Sequence, residues 1–166
     1  MIRNVAREIA MHLSYELSFT DLSAGELLDQ RLSSTHFGAI APEYEVYGEV
    51  PGPSQRAYIR KLVSGIAAHG YELDQYIEKY AKGWRFERIP LVAGAIMRLA
   101  MYEILYMPEI PDGAAINEAV EIAKKYESPE VVRFINGILG SFVRAEFEDT
   151  PPKPEKKQNQ PEQEGE

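Results

Sequence analysis

The 166-residue chain contains no cysteine, so it can form neither a disulfide nor a metal site built on thiolates. It also lacks an apolar run near the roughly 18 residues that a membrane-spanning helix needs. The opening MIRNVAREIAMHL has no apolar block or cleavage site typical of a secretory signal. We therefore expect a cytoplasmic protein.

The signatures of common catalytic sites are missing as well. The sequence has no G-x-S-x-G, Walker A, H-E-x-x-H or G-x-G-x-x-G motif. A nucleophile triad needs a histidine beside a serine or cysteine, and the three histidines stand far apart in unlike contexts. We expect no catalytic residues, no cofactor and no enzymatic activity.

One row of potential metal ligands is present. Glu8, His12 and Glu16 lie at i, i+4 and i+8 along one helical face. Carboxylate-bridged metal sites of helical bundles instead use Glu-x-x-His pairs from two helices, and only one histidine-bearing helix of this kind is visible. We interpret the row as a solvated helix face and predict no metal site; a metal-dependent bundle enzyme is the remote alternative.

Positive charge is scarce: 18 lysine and arginine residues stand against 26 acids, which gives a formal net charge of −8 and a pI near 5.0. The stretch 148–166 holds six acids and three lysines, which leaves a net −5 for residues 1–147. Nucleic-acid binding needs clustered cations, so any RNA-binding surface must be a local patch. Because 148–166 has no apolar residue other than proline, we predict a folded domain over 1–147 and a disordered acidic tail after it.

Helical periodicity runs through most of the predicted domain, and no alternating strand pattern is visible. Ser23 is placed to cap the second helix, Gly83 to end a helix, and Pro90 to begin the most apolar one. The segment 34–53 contains proline and glycine but no helical stripe, which predicts a long connection. The predicted fold class is all-α, with about seven helices.

Several polar positions are predicted to serve architecture. Asn117 and Asn136 lie beside apolar stripes, and Gly137 follows Asn136 at a point where glycine costs a helix about 1 kcal/mol relative to alanine. We predict a close backbone approach at Gly137 and carboxamides that join neighbouring helices, with ligand contact as the alternative. Arg98 and Glu103 belong to the most apolar helix and are predicted to be structural ionic partners.

The second half of the sequence contains four recognisable segments, in the order MRLAMYEI, a proline turn, INEAVEIAKKY and FINGIL. This combination resembles the NusB family of bacterial transcription antitermination factors, and AREIAMHLSYEL and LVSGIAAHGYELDQYIEKYAKGW extend the resemblance to about residues 3–143. It implies two small packed helical bundles without catalytic activity. It also implies binding of single-stranded boxA RNA from ribosomal RNA leaders, together with ribosomal protein NusE, in an RNA polymerase antitermination complex.

The resemblance further implies which residues bind RNA. Arg3 and Arg7, with the terminal amine, stand where the family has an arginine-rich segment that binds phosphates. Arg133 and Phe134 come just before the Asn-Gly pair of FINGIL and are candidates for contact with phosphate and base. Tyr15, in the first helix, is a further stacking candidate.

Glu130 is the expected contact with the protein partner. It stands at the start of the last helix, where an acid of the family would meet a basic residue of NusE. The family often has Asp-Ser in this region, whereas this chain reads PEVV. A carboxylate in the first helical turn also favours the helix dipole, which is a structural alternative. A second function stays open too: a helical protein-protein adaptor that has lost RNA binding, which the acidic charge favours.

Overall fold

The computed structural model describes residues 1–147, and the predicted acidic tail lies outside them. The described part consists of eight α-helices and two short 3-10 turns, without a strand, and none of its helices is long and apolar enough to cross a membrane. The helices are Arg3–Leu17 (α1), Ala24–Arg31 (α2), Ser34–Ile40 (α3), Pro53–Ala68 (α4), Gly70–Tyr80 (α5), Leu91–Tyr106 (α6), Asp112–Tyr126 (α7) and Pro129–Phe147 (α8). The 3-10 turns are Glu45–Tyr47 and Phe86–Arg88. The predicted all-α class is confirmed.

The helices pack as two groups that share α6. In the first group α1 packs against α2 and α4; in the second α5, α6, α7 and α8 pack against one another. Helix α6 also contacts α1 and α4, and it is buried along almost its whole length from Ala93 to Ile104. An amphipathic helix could serve only one group, so the near-continuous apolar sequence of α6 is what allows it to join both.

Three predicted helix boundaries are confirmed. The Ser23 hydroxyl accepts the backbone N–H of Glu26 at the start of α2. Gly83 follows the end of α5 in the left-handed region with φ of 84°, and Pro90 directly precedes α6. A left-handed residue reverses the chain sharply, which glycine permits at no steric cost.

The connection predicted for 34–53 is shorter than expected, because it contains α3 and a 3-10 turn. The Ser33 hydroxyl caps α3 by accepting the N–H of His36. Phe37 and Tyr47 are buried and contact each other, with ring centroids 5.1 Å apart. A two-turn helix with one apolar anchor makes no repeating stripe, so periodicity could not reveal it.

A buried ion pair connects α1 to α6. Arg7 donates from Nε to Glu103 Oε1 at 2.7 Å and from Nη2 to Oε2 at 3.0 Å, and the two side chains are only 4% and 0% exposed. The Tyr58 hydroxyl of α4 donates to the same carboxylate at 3.0 Å, and Arg7 Nη1 donates to Asn4 at 2.8 Å. Burial lowers the pKa of Arg7, but the hydrogen bond and charge of Glu103 outweigh it and raise the pKa overall. The Arg7 guanidinium thus stays charged in the interior, where both Glu103 oxygens accept its hydrogen bonds.

Arg98 and Glu103 do not pair with each other. Arg98 donates from Nε to Asp74 of α5 at 2.5 Å, near the surface, while Glu103 faces Arg7. Five positions along a helix place two side chains on different faces, because neighbours on one face are three or four residues apart. Both groups therefore have structural partners, on opposite sides of α6.

The predicted roles of Asn117, Asn136 and Gly137 are wrong. Both asparagines are exposed, and a Cβ added to Gly137 would meet nothing within 4 Å. The buried stripe of α8 runs through Ile135, Ile138, Leu139 and Phe142, so positions 136 and 137 point away from it. The close approach occurs in α4 instead, where a Cβ on Gly65 would lie 2.1 Å from the ring of Tyr102.

We predict that Arg7→Ala lowers the free energy of unfolding by about 3–5 kcal/mol, because it leaves the Glu103 carboxylate buried without its cation. The measurement is denaturant unfolding followed by circular dichroism. The matched control is Arg60→Ala, which removes an equal charge from the exposed pair of Arg60 with Asp29. That variant should stay within about 1 kcal/mol of the parent. Equal losses in the two variants would contradict a special role for the buried pair.

We also predict that Gly137→Ala and Gly65→Ala change stability in opposite directions. Alanine at 137 meets open space inside a helix, so it should raise the free energy of unfolding by about 1 kcal/mol. Alanine at 65 must displace the ring of Tyr102, which packs on Tyr106, so it should lower that free energy by about 1–3 kcal/mol. Thermal unfolding of both variants tests these opposite changes in stability. A Gly65→Ala variant more stable than the parent would contradict the close contact between Gly65 and the ring of Tyr102.

Candidate nucleic-acid interface

The N-terminal cationic patch is thinner in the structure than the sequence indicates. Arg7 is buried on Glu103, and the terminal amine pairs with the carboxylate of Glu49. The expectation that Arg7 offers its guanidinium to RNA is therefore corrected: the group is already held inside the fold. Arg3 and Arg7 do share a face, as their spacing predicts, but this face of α1 packs on Tyr58 of α4.

Arg3 is half-buried and is held against Tyr58. Its guanidinium lies 4.7 Å from the centre of the Tyr58 ring, which fixes the side chain by a cation–π contact. Its Nη1 atom is buried and has no hydrogen-bond acceptor among residues 1–147. Since this atom is closed to solvent, a phosphate contact must use the rest of the half-buried guanidinium, whose orientation Tyr58 fixes.

Tyr15 lies apart from Arg3. Twelve residues of helix separate them, which is about 18 Å along the axis of α1. Tyr15 packs on the exposed Phe19, with ring centroids 5.0 Å apart. The structure therefore does not join Tyr15 and Arg3 into one compact site.

Arg133 and Phe134 lie on α8 beside a tryptophan. The half-buried Phe134 ring faces Trp84, with ring centroids 4.4 Å apart and an angle of 36° between the planes. Arg133 is exposed and has no carboxylate within 4 Å in the part of the chain that the structure describes. The two predicted residues thus present one free cation and one ring that is covered on a face by indole.

Sequence reasoning missed Trp84 as a candidate. The signal that could have found it is composition: the chain has one tryptophan, and the same seven-residue stretch, 82–88, also carries Lys82, Arg85 and Arg88. Periodicity gave no reason to place this stretch against α8, because it lies between two helices.

Glu130 is exposed in the first turn of α8, as predicted from its position. The hydroxyl of Ser128 accepts the backbone N–H of Val131 at 3.4 Å and so helps to cap this helix. Since the capping group is Ser128, the Glu130 carboxylate remains available for a partner.

The row of Glu8, His12 and Glu16 is not the solvated face that we predict from the sequence. Glu8 is buried and accepts from Lys125 at 3.0 Å and from the Tyr126 hydroxyl at 2.9 Å, both at the end of α7. His12 contacts the Tyr126 hydroxyl through Nε2 at 2.5 Å and the Tyr47 hydroxyl through Nδ1 at 3.0 Å. The end of α7 and a 3-10 turn cover this face, which no local pattern in α1 reveals.

The same polar cluster gives no support to the alternative of a metal enzyme. Glu16 points elsewhere and receives two hydrogen bonds from Arg31, at 2.6 and 2.9 Å. Within residues 1–147 no three histidine, aspartate or glutamate side chains are grouped in a way that could hold a metal ion.

A search against protein families gives a match over residues 4–144, described as the NusB family. The chain belongs to the NusB family. Two curated relatives named transcription antitermination protein NusB illustrate the similarity. The protein of Acetivibrio thermocellus is 40% identical over 147 residues, covering 89% of this chain and 92% of the relative. That of Symbiobacterium thermophilum is 35% identical over 144 residues, covering 87% and 90%.

Solved NusB structures share the fold. T. maritima NusB superposes with a TM-score of 0.67 at 24% identity, covering 87% of this chain and 92% of that one. NusB from a complex of the antitermination factors NusB and NusE with double-stranded RNA also gives 0.67 at 24% identity, covering 86% and 96%. The predicted NusB-like fold is therefore confirmed.

The His12 cluster predicts a pH dependence of stability. Burial, aided by the charge of Lys125 and opposed by Glu8, lowers the pKa of His12 below its usual 6.5. The unfolded chain then takes up a proton that the folded chain resists, so stability falls as the pH drops through about 6.5. We expect His12→Gln to reduce the loss of unfolding free energy between pH 7.5 and 5.5.

Denaturant unfolding of parent and variant at the two pH values measures this difference. All other side chains are the same in both proteins, so contributions common to the two cancel when the two losses are compared. An equal loss in His12→Gln and the parent would contradict the assignment.

Proposed function

We propose that this chain is a transcription antitermination factor that binds boxA-type single-stranded RNA together with ribosomal protein NusE, within an antitermination complex of RNA polymerase. The observation that carries the proposal is family membership along nearly the whole domain, with curated relatives named transcription antitermination proteins. The similar solved complex contains NusB, NusE and RNA. The protein acts by binding, without catalysis, in the cytoplasm where RNA polymerase works.

Arg3, Arg133 and Phe134 are the proposed RNA contacts on this chain. Arg3 supplies a half-buried guanidinium that is fixed on Tyr58, and Arg133 supplies an exposed cation without a competing carboxylate within 4 Å. Phe134 offers a partly exposed ring for a splayed base, and Tyr15 offers a second ring at a distance. Arg7 supports the site indirectly, because its ion pair holds α1 in place.

Glu130 is the proposed contact with NusE. Its carboxylate is exposed at the start of α8, where it can meet a basic residue of the ribosomal protein. An exposed pair of this kind favours correct orientation and fast association more than it favours affinity.

The second candidate function, a protein-protein adaptor without RNA binding, has its own support. The domain is acidic, and the burial of Arg7 with the pairing of the terminal amine leaves Arg3 as the remaining N-terminal cation. Each lost phosphate contact weakens RNA binding, so binding by this chain without NusE should be weak.

Titration of fluorescently labelled boxA RNA, with and without NusE, separates the two functions. We expect binding that strengthens with NusE and weakens with salt. Arg3→Ala should weaken it about tenfold or more, because a charge-assisted hydrogen bond contributes about 1.5–3 kcal/mol. Arg60→Ala, which removes an equal charge from an exposed pair on α4, should bind as the parent does.

The absence of any RNA binding at low salt, even with NusE present, would favour the adaptor and overturn the proposed function. Equal affinities for Arg3→Ala, Arg60→Ala and the parent would leave RNA binding in place but remove Arg3 from the site.

A further inference from the structure

A cationic surface surrounds Trp84, at the junction between the turn that leads into α6 and the first half of α8. We call it the Trp84 surface and define it by Lys82, Trp84, Arg85, Arg88, Arg133 and Phe134. We propose that this surface extends the RNA contacts at Arg133 and Phe134 and binds a further stretch of the same single-stranded RNA, with one base stacked on Trp84 and the neighbouring phosphates held by Arg85 and Arg88. The inference rests on the proposed function and adds a site to it.

The first argument is the distribution of unsatisfied positive charge. In an acidic domain most cations find a partner: Lys79 pairs with Glu146 at 2.8 Å and Arg98 with Asp74 at 2.5 Å. Within residues 1–147, four lysine or arginine side chains have neither an ion pair nor a hydrogen bond nor a ring contact. They are Lys82, Arg85, Arg88 and Arg133.

Two of these cations, Arg85 and Arg88, line one cleft with Trp84. Three lie within seven residues of one another around Trp84, and the fourth is the sequence neighbour of Phe134, whose ring stacks on Trp84. Their concentration at one place is what a polyanion site requires.

The second argument is that the backbone presents the two arginines on the same side. Arg85 directly precedes the 3-10 turn Phe86–Arg88. Its backbone carbonyl accepts a hydrogen bond from the backbone N–H of Arg88 at 2.9 Å. A 3-10 helix has three residues per turn, so side chains at i and i+3 lie above each other. Gly83, Trp84, Arg85 and Arg88 accordingly line one open cleft.

The segment is also anchored at both of its ends. Ala81 and Ile89 are buried in the core, and Gly83 turns the chain with its left-handed φ of 84°. The arginines therefore project from a fixed turn, so less conformational entropy of the backbone is lost when they bind an anion.

The third argument is the backing of the indole. Phe134 covers one face of Trp84 at 4.4 Å, and both rings pack partly against the core. A ring that is supported from behind and half-exposed in front is a rigid stacking platform. Base–aromatic stacking with phosphate-binding arginines is the recognition mode of single-stranded nucleic acid.

Nearby acids do not cancel the charge of the surface. Glu87 is exposed in the same 3-10 turn, and its position between Arg85 and Arg88 directs it to another side. Glu146, further along α8, is neutralised by Lys79 and accepts from the Tyr80 hydroxyl. Glu130 is exposed one helical turn before Arg133 on α8. With Glu87 and Glu130 both included, Lys82, Arg85, Arg88 and Arg133 still leave a local excess of positive charge.

The single tryptophan of the chain provides a probe at the proposed site. Titration of the full chain with labelled boxA RNA, extended at either end by unpaired nucleotides, gives two readouts: RNA anisotropy for binding, and Trp84 fluorescence for stacking. We expect the fluorescence to be quenched in step with the anisotropy. The Trp84→Phe variant supplies the background signal when NusE is present.

Arg85→Ala/Arg88→Ala should weaken binding of the extended RNA about tenfold or more at low salt. It should also reduce the slope of log affinity against log salt by about 1.4, since each phosphate contact to a single strand contributes about 0.7. The matched control, Arg60→Ala/Lys61→Ala, removes two charges from exposed pairs with Asp29 and Glu109. It should leave affinity and slope close to those of the parent.

The outcomes separate this inference from the proposed function. No change in anisotropy overturns both. RNA binding with constant Trp84 fluorescence and an unaffected Arg85→Ala/Arg88→Ala variant overturns the Trp84 surface alone. Loss of NusE binding in that variant, with RNA binding intact, would make the surface a protein interface and would likewise overturn the inference.

Discussion

The ion pair between Arg7 and Glu103 is the interaction on which the arrangement of the two helix groups depends. Glu103 is completely buried on α6, and a buried carboxylate without a cation would destabilise the fold by several kcal/mol. Arg7 meets both carboxylate oxygens, and Tyr58 adds a third hydrogen bond from α4. Because Arg7 and Tyr58 belong to different helices, satisfying Glu103 requires α1 and α4 to dock on α6 together.

This requirement has a consequence for RNA binding. An arginine that is needed inside the fold is not available to a phosphate, so the N-terminal segment contributes less surface charge than its sequence indicates. Arg3 lies on the same face, against the same tyrosine, and keeps one unmet donor. The free cations of the domain are found instead around Trp84, in a turn whose conformation depends on Gly83 and on the buried ends of the segment. The packing of the helices therefore determines which arginines are free to bind RNA.

Whether a feature of this structure can be predicted from the sequence depends on how far apart along the chain the interacting residues lie. The stripes of the longer helices, the Ser23 cap and the turn at Gly83 are local signals, and each is present in the structure as predicted. Glu103 is 96 positions from Arg7, so an i, i+4 arginine pair in α1 could not be distinguished from a surface patch. The same limit applies to His12, which is covered by Tyr126 from a distant helix, and to Gly65, whose close neighbour is Tyr102.

An acidic protein that binds RNA must limit the repulsion near its contact surface. Charges more than about 8–10 Å away are screened at physiological salt, so the nearest acids decide the local balance. Glu130 lies one helical turn before Arg133 and Phe134, and therefore faces the same region of α8. In the proposed complex a basic residue of NusE neutralises Glu130, which removes negative charge beside the RNA as well as orienting the partner. Binding of NusE and binding of RNA would then favour each other, because thermodynamic coupling between two sites is reciprocal.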